Sequence, residues 1–237
     1  SGKVAEYIMT CRSMGITILP PDINEGDVGF AVSENGIRYA LTAIKGVGRT
    51  VIETIVRERE ARGPYRNIRD FIVRTADFEV NKRAVENFIK AGAFDSLGGT
   101  RKQLMSIYVQ VMDSTHSDRK SNMAGQMTLF DFADDSEKES MEVALPKGMG
   151  EYSQEMLLAF EKEVLGVYVS GHPLLAYTTL WNKQITITTA DFYMDEDTGE
   201  IKVQDGEKVS VGGLITERKE KFTKKNEAMA FLTLEDL

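Results

Sequence analysis

Two glycines around one apolar residue, Gly46-Val47-Gly48, form the stretch of this sequence whose chemistry is easiest to predict. Glycine adopts positive φ without a steric penalty, so the pair favours a sharp turn between two helices. The apolar segment from Ile37 predicts the first helix, and an amphipathic pattern beginning at Arg49 predicts the second. The free N–H groups and positive dipole end of the second helix can bind a phosphate oxygen, with Lys45 and Arg49 adding charge.

This pattern over residues 37–60 is typical of a helix-hairpin-helix, which binds the DNA backbone without reading its sequence. An ordinary tight connection between two helices explains the same glycines, and the stretch alone does not choose between these interpretations. A related junction follows Gly98-Gly99-Thr100, where Arg101 and Lys102 begin a helix predicted to run to about Ser117. It indicates either a degenerate second copy of the motif or a plain helical connection.

The charges are unevenly distributed along the 237 residues, whose net charge is −8. From Arg38 to Lys102, 14 Lys and Arg residues stand against 8 Asp and Glu, an excess of six positive charges. From Gln103 to Glu142 the balance is 3 against 8. The first block suits duplex binding, whereas the second would be repelled from DNA and left free for another contact. Solvated surface charge explains both blocks equally well.

Signs of catalysis or metal binding are missing from the sequence. His116 and His172 have no Cys or His neighbours at metal-ligand spacing, and no P-loop or nucleophile elbow is present. Asp195 begins a segment like a calcium loop, but its twelfth position is Gly206 rather than glutamate. We therefore expect no catalytic residue, metal or cofactor in this chain. Its single cysteine, Cys11, favours a reducing cytoplasm, and no apolar run is long enough to span a membrane.

The order of the patterns predicts a mainly α chain, α+β overall, in which a helical domain with a helix-hairpin-helix precedes a partial β OB-fold. Asn35-Gly36 predicts a small β-hairpin before the first turn, and Asn81 is expected to cap a helix with an apolar stripe. The predicted parts are residues 1–37 with the β-hairpin, a helical domain at 38–117, an acidic linker at 118–148, a helical connector at 149–195 and the first OB strands at 207–237.

An apolar island lies inside the polar linker. Its residues are Gln126, Met127, Thr128, Leu129, Phe130, Asp131 and Phe132. Bulky side chains in a solvated stretch either pack back on a domain or form a docking peptide for another protein. As a docking peptide, Gln126 would be a polar anchor, and Leu129 and Phe130 would fill a groove on the partner.

The predicted strands after Glu207 are joined by a basic turn with one aromatic residue. The residues concerned are Arg218, Lys219, Lys221, Phe222, Lys224 and Lys225. Cations around an aromatic ring are typical of a single-strand DNA surface, where phosphates pair and bases stack. A polar hairpin tip is the alternative.

Several stretches together carry a resemblance to a known family: KVAEYIMTCRSMGITILPPDIN, IRYALTAIKGVG, NKRAVENFIKAGAFDSLG, LGVYVSGHPL and MAFLTLEDL. In this order they resemble the C family of bacterial replicative DNA polymerases, the DNA polymerase III alpha subunits. The resemblance implies that residues 3–38 end the fingers region and that the next helices form the tandem helix-hairpin-helix of the clamp-binding domain. Residues 207–237 would begin the OB domain, and the chain would be a C-terminal piece of a longer protein.

The same resemblance implies partners and an activity for the whole protein. QMTLF at 126–130 matches the family's internal motif for the sliding clamp, the beta subunit, with Gln126, Leu129 and Phe130 as anchors. The remaining partners would be primer–template duplex, single-stranded template and other replicase subunits. DNA synthesis would use two Mg²⁺ ions held by palm carboxylates before residue 1, so this piece alone would be inactive. A clamp-using module of a repair or recombination protein and a purely structural helical scaffold remain the alternatives.

Overall fold

The computed structural model describes residues 2–123, 144–194, 199 and 201–236. The chain divides into two compact units, Ser1–Ser170 and Gly171–Leu237. The described residues form seven α-helices and two small sheets, which confirms the predicted α+β class.

The first unit begins with helix α1 (Gly2–Ser13) and a three-stranded sheet. Its strands are β1 (Ile18–Leu19), β2 (Ala31–Ser33) and β3 (Gly36–Arg38). The central strand β3 runs parallel to β1 and antiparallel to β2. The predicted hairpin at Asn35-Gly36 is therefore confirmed as the β2–β3 connection.

Five further helices complete the first unit. They are α2 (Arg49–Arg62), α3 (Ile68–Arg74), α4 (Lys82–Ala91), α5 (Arg101–Met123) and α6 (Gln154–Leu165). The predicted helix start at Arg49 and the predicted cap at Asn81 are confirmed; the Asn81 side chain accepts the Ala84 N–H. Helix α5 continues six residues beyond the predicted end at Ser117.

Helix α4 is the centre of this unit, because it packs against both α5 and α6. Most of its side chains are buried, and Phe88 is fully enclosed. Phe88 and Phe71 lie against Phe94, with ring centroids 5.4 and 4.9 Å apart, and Tyr65 contacts Phe71 edge-on at 5.0 Å. Burying four aromatic rings in one cluster contributes several kcal/mol and fixes α3 and α4 relative to each other.

The prediction of a full helix before the glycine turn is wrong. Ile37 belongs to β3, where it pairs with Ile18 and Val32, and only a 3-10 turn at Leu41–Ala43 follows. The reason is tertiary: the backbone N–H groups of Ile37 and Tyr39 donate to Thr17 and Leu19, so they are not available for a helix.

The second unit contains the 3-10 turns Pro173–Tyr177 and Thr189–Phe192, helix α7 (Thr178–Gln184) and the antiparallel strands β4 (Leu214–Phe222) and β5 (Ala228–Glu235). The first strand starts at Leu214, after the glycine pair, rather than at Glu207 as predicted. A Cβ on Gly212 would lie 2.7 Å from Cδ1 of Ile185 and 2.8 Å from Cζ3 of Trp181, so a larger residue there would require these side chains to shift. The described residues of this unit contain one two-stranded sheet, which is less than an OB-fold needs. The OB-fold therefore stays a prediction.

The predicted connector at 149–195 is divided differently by the structure. Its first helix, α6, packs against α4 inside the first unit, and its remainder belongs to the second unit. The predicted linker at 118–148 overlaps the end of α5, which extends to Met123, and residues 124–143 lie outside the described residues.

Replacing Gly92, at the end of α4, tests how closely this helix end packs against Arg101 and Asp95. Gly92 has φ +78, and a Cβ there would lie 2.1 Å from Nη2 of Arg101 and 2.9 Å from Oδ2 of Asp95. We expect Gly92→Ala to lower the free energy of unfolding by roughly 2–4 kcal/mol, because the left-handed conformation and the displaced ion pair both contribute. Urea denaturation followed by circular dichroism measures this loss.

The matched control is Gly166→Ala at the end of α6. Gly166 has nearly the same conformation, φ +79, but its Cβ would meet only the Lys45 side chain at ordinary contact distance. We expect it to cost about 1–2 kcal/mol from backbone strain alone. Equal losses for the two variants would show that the contact with Arg101 contributes nothing.

Candidate nucleic-acid interface

The two glycines of the turn before α2 have different conformations. Gly46 has φ +78, and a Cβ there would lie 3.1 Å from Nδ2 of Asn87, so both backbone and space favour glycine. Gly48 has φ −71 and ψ 147, and no atom lies within 4 Å of its Cβ position. The expectation that both glycines take positive φ is therefore wrong for Gly48. Neither the backbone conformation nor the surroundings of Gly48 require glycine, although glycine is common at the N-cap position that it occupies.

The start of α2 presents free hydrogen-bond donors. In the described part of the chain, no carbonyl or side chain accepts the backbone N–H of Gly48, Arg49 or Thr50, and no side chain caps the helix. All three residues are exposed. Neighbouring N–H groups at a helix start, together with its dipole, form a surface that can bind a phosphate oxygen.

Lys45 is used by the protein itself. Its Nζ donates to the Glu163 carbonyl at 2.8 Å, and its backbone N–H donates to the Val164 carbonyl at 2.9 Å, both at the C-terminal end of α6. A cation at the C-terminal end of a helix interacts favourably with the helix dipole. Lys45 thus joins the turn to α6, and its side chain is placed for this bond rather than for an open phosphate site.

Two further side chains complete the turn. Asn87, buried on α4, donates from Nδ2 to the Lys45 carbonyl at 2.7 Å and so fixes the residue before Gly46. Arg49 is exposed, with its Nε 2.8 Å from the Glu53 carboxylate one helical turn later. An exposed pair of this kind is weak, so Arg49 can exchange Glu53 for a phosphate at little cost. Asn87 was missed from the sequence, where it lies within an apolar stripe; a polar residue at a buried helical position is the signal for it.

The start of α5 differs because its donors are already bound. The Glu151 carboxylate accepts the N–H of Arg101 at 2.8 Å and that of Lys102 at 3.1 Å. The Gln103 side chain accepts the Thr100 N–H, and the Thr100 hydroxyl accepts the Gln103 N–H, which forms a capping box. The structure therefore places a carboxylate where a second hairpin would bind a phosphate.

The side chains of Arg101 and Lys102 also contact other residues of the protein. Arg101 is buried, with Nε and Nη2 at 3.0 and 2.8 Å from the Asp95 carboxylate. Burial alone would lower the pKa of Arg101, but the hydrogen bond and charge of Asp95, together with the charges of Glu161 and Glu151, outweigh burial and raise the pKa. The Lys102 ammonium lies 5.8 Å from the centre of the Tyr152 ring. DNA contact by these two residues stays a prediction, and the observed pairing favours a structural role for Arg101.

The predicted single-strand residues do not share one face of the β4–β5 hairpin. Lys219 and Lys221 pair with Phe231 and Met229, whereas Arg218 and Phe222 lie on the opposite face, since successive strand residues alternate. Lys224 and Lys225 lie in the connecting turn. The aromatic ring nearest the two lysines is Phe231, 5.5 Å from Nζ of Lys221. The sequence could not identify Phe231, because its neighbours depend on strand register.

The predicted docking peptide at residues 126–132 lies outside the described residues. Within the described residues, no group of three or more His, Cys, Asp or Glu side chains could hold a metal ion. In the same part of the chain, no helix has the length and apolar character needed to cross a membrane.

Comparisons with known proteins agree with this geometry. The family described as helix-hairpin-helix motif matches residues 15–104, which include the turn before α2 and the start of α5. The DNA polymerase III subunit alpha of Mycobacterium leprae is 34% identical over 238 residues, covering 99% of this chain and 19% of that protein. The protein of the same name from Thermus aquaticus is 35% identical over 237 residues, covering 100% of this chain and 18% of the relative. A third protein of this name, from Chlamydia pneumoniae, is 40% identical over 172 residues, covering 73% of this chain and 14% of that protein.

The chain thus spans about a fifth or less of the length of these relatives, and the similarity extends over nearly all of its own. It is not confined to the hairpin, because it continues through α6 and the β4–β5 strands. This chain therefore belongs to the DNA polymerase III alpha subunit family, of whose members it represents a part that contains the helix-hairpin-helix motif.

Proposed function

We propose that this part of the alpha subunit binds the backbone of duplex DNA through the start of α2. The observation that carries the proposal is the set of exposed, unbonded N–H groups at Gly48, Arg49 and Thr50. The match to the helix-hairpin-helix motif includes these residues and supports the same interpretation.

The rest of the site supports binding without sequence preference. Backbone donors and a single arginine recognise phosphate but carry no pattern that distinguishes bases. The absence of a side chain at Gly48 leaves the helix start open to a sugar–phosphate backbone. The surrounding block from Arg38 to Lys102 has an excess of six positive charges, which attracts DNA although the whole chain is acidic.

A contact of this kind is weak by itself. Non-specific binding through phosphates typically has a Kd of about 10⁻⁴ to 10⁻⁶ M at physiological salt. A polymerase that stays on its template needs a second attachment, and linking two weak contacts raises the overall affinity through effective concentration. We propose that the peptide Gln126–Phe132 supplies this attachment by docking on the sliding clamp, the beta subunit.

The chemistry of the peptide supports this assignment. Leu129 and Phe130 would each contribute roughly 1.5–3 kcal/mol on burial in a groove, before the cost of ordering the linker. The sum, roughly 3–6 kcal/mol, corresponds to a Kd no tighter than about 10⁻⁵ M, and such a weak contact suits a partner that must bind and release. The peptide follows the long helix α5 at an interval of two residues, so it would remain close to the DNA-binding unit.

For the whole protein we propose DNA-templated DNA synthesis in chromosomal replication, in the cytoplasm and together with other replicase subunits. We assign the two Mg²⁺ ions of that reaction and the catalytic carboxylates to the rest of the polymerase, as the family resemblance implies. Single-stranded template is a further proposed ligand of the β4–β5 hairpin, at the face with Lys219, Lys221 and Phe231.

A repair or recombination module and a purely structural scaffold are less well supported. The similarity to polymerase alpha subunits covers nearly the whole chain, which a shared hairpin alone would not produce. The match of residues 15–104 to the helix-hairpin-helix motif counts against a purely structural scaffold.

The phosphate contact can be tested with Arg49→Ala and Gly48→Val. We expect Arg49→Ala to reduce the slope of log K against log salt by about 0.9, since one phosphate contact is lost. Gly48→Val fits the extended backbone but would place a branched side chain between the helix start and a phosphate, so it should weaken binding several-fold at each salt concentration. Fluorescence anisotropy titrations with a labelled duplex of arbitrary sequence measure both effects.

The matched control is Arg62→Ala at the other end of α2. It removes the same charge about 20 Å along the helix from Arg49. Its side chain is 65% exposed and pairs with Glu58 in the same i,i+4 manner as Arg49 pairs with Glu53. If Arg62→Ala and Arg49→Ala change the slope equally, general charge rather than the turn binds DNA.

The clamp contact can be tested with a triple variant, Gln126→Ala, Leu129→Ala and Phe130→Ala. Losing the burial of two large apolar side chains should weaken binding to the purified sliding clamp at least tenfold in isothermal titration calorimetry. The same variant should keep its affinity for duplex DNA.

The control for this variant places three alanines a few residues later in the same linker, at Ser136, Glu137 and Lys138. It should bind the clamp like the unchanged protein. Unchanged clamp affinity of the 126, 129 and 130 variant would contradict the docking proposal while leaving the DNA proposal intact.

A further inference from the structure

The cations around the Gly46 turn differ in how their charges are used. Lys45 bonds to the C-terminal end of α6, and Arg49 pairs with Glu53. A third cation, Arg83 on the first turn of α4, is exposed. Among the residues that the structure describes, it has no acidic or hydrogen-bonding partner.

Arg83 lies directly beside the turn. Its Nε is 3.8 Å from the position that a Cβ on Gly46 would occupy. Four residues later on the same helical face, Asn87 holds the Lys45 carbonyl. Helix α4 therefore contributes a buried support and an exposed cation to the same few residues of backbone.

The fold gains little from Arg83 at this position. A positive charge on the first turn of a helix interacts unfavourably with the positive end of the helix dipole. The adjacent Lys82 has the same disadvantage but forms an ion pair with Asp113 at 2.7 Å. Arg83 lacks such compensation within the described residues, so its charge is available for a ligand.

We propose that Arg83 contacts a DNA phosphate next to the one bound at the start of α2, so that the interface combines two helices rather than one hairpin. The guanidinium fork suits two oxygens of one phosphate, which a lysine cannot match in geometry. Gly46 lies between the two positions and, having no side chain, leaves the backbone path between them open. This inference rests on the proposed DNA-binding function and extends it to α4.

The experiment uses Arg83→Ala and Arg83→Lys, titrated against the same labelled duplex over a range of KCl concentrations. Arg83→Ala should weaken binding roughly five- to tenfold at low salt and flatten the salt slope by about 0.9. Arg83→Lys should restore the slope, since the charge returns, but not the full affinity, since the fork is lost. The thermal unfolding midpoint of Arg83→Ala should stay equal or rise slightly, because an unfavourable charge leaves the helix start.

Lys82→Ala is the control, because it removes an exposed cation from the same helical turn and should leave the slope unchanged. An Arg83→Ala slope equal to that of the unchanged protein, with Arg49→Ala reducing it, would overturn the role of Arg83 and keep the proposed function. Unchanged slopes for both arginine variants, together with unchanged affinity of Gly48→Val, would overturn the proposed function itself. Equal effects of Lys82→Ala and Arg83→Ala would also overturn the inference, since general charge would then explain the loss.

Discussion

The hydrogen bond from Asn87 to the Lys45 carbonyl is the interaction on which the turn proposed to bind DNA depends. It connects the most buried helix of the first unit to the residue before Gly46, over 42 positions of sequence. Lys45 in turn binds the end of α6 through both its backbone and its side chain. A turn fixed from two helices keeps its outward N–H groups in place without using them, and so a ligand does not have to order the loop when it binds.

The contrast between the two glycine junctions follows from the same packing. The turn before α2 is supported through the Lys45 carbonyl and side chain, which leaves the first N–H groups of the helix open. The start of α5 is supported through its N–H groups, which Glu151 binds. Two junctions of similar sequence therefore have different chemistry: one can accept a phosphate, and the other already holds a carboxylate. In a chain with net charge −8, phosphate binding is therefore expected at the start of α2 rather than at the start of α5.

Local patterns predicted much of the fold, and long-range contacts account for the errors. The starts of α2 and α4 follow from Arg49 after a glycine and from the cap at Asn81, both of which are short-range signals. The helix expected from Ile37 is absent because Ile18 lies 19 positions earlier and pairs with it in the sheet. The roles of Lys45 and Arg101 depend on Glu163 and Glu151, which are 118 and 50 positions away. The division of the basic hairpin residues between two faces depends on strand register, which the sequence does not specify.

Backbone amide NMR of the protein titrated with a short duplex tests the central claim most directly, because it observes the N–H groups themselves. The account predicts that the amide signals of Gly48, Arg49 and Thr50 shift most and exchange more slowly with water, as each donor gains a phosphate acceptor. Those of Arg101 and Lys102 should stay unchanged, since Glu151 already binds them. Shifts at Arg101 and Lys102 without shifts at Gly48 to Thr50 would contradict it.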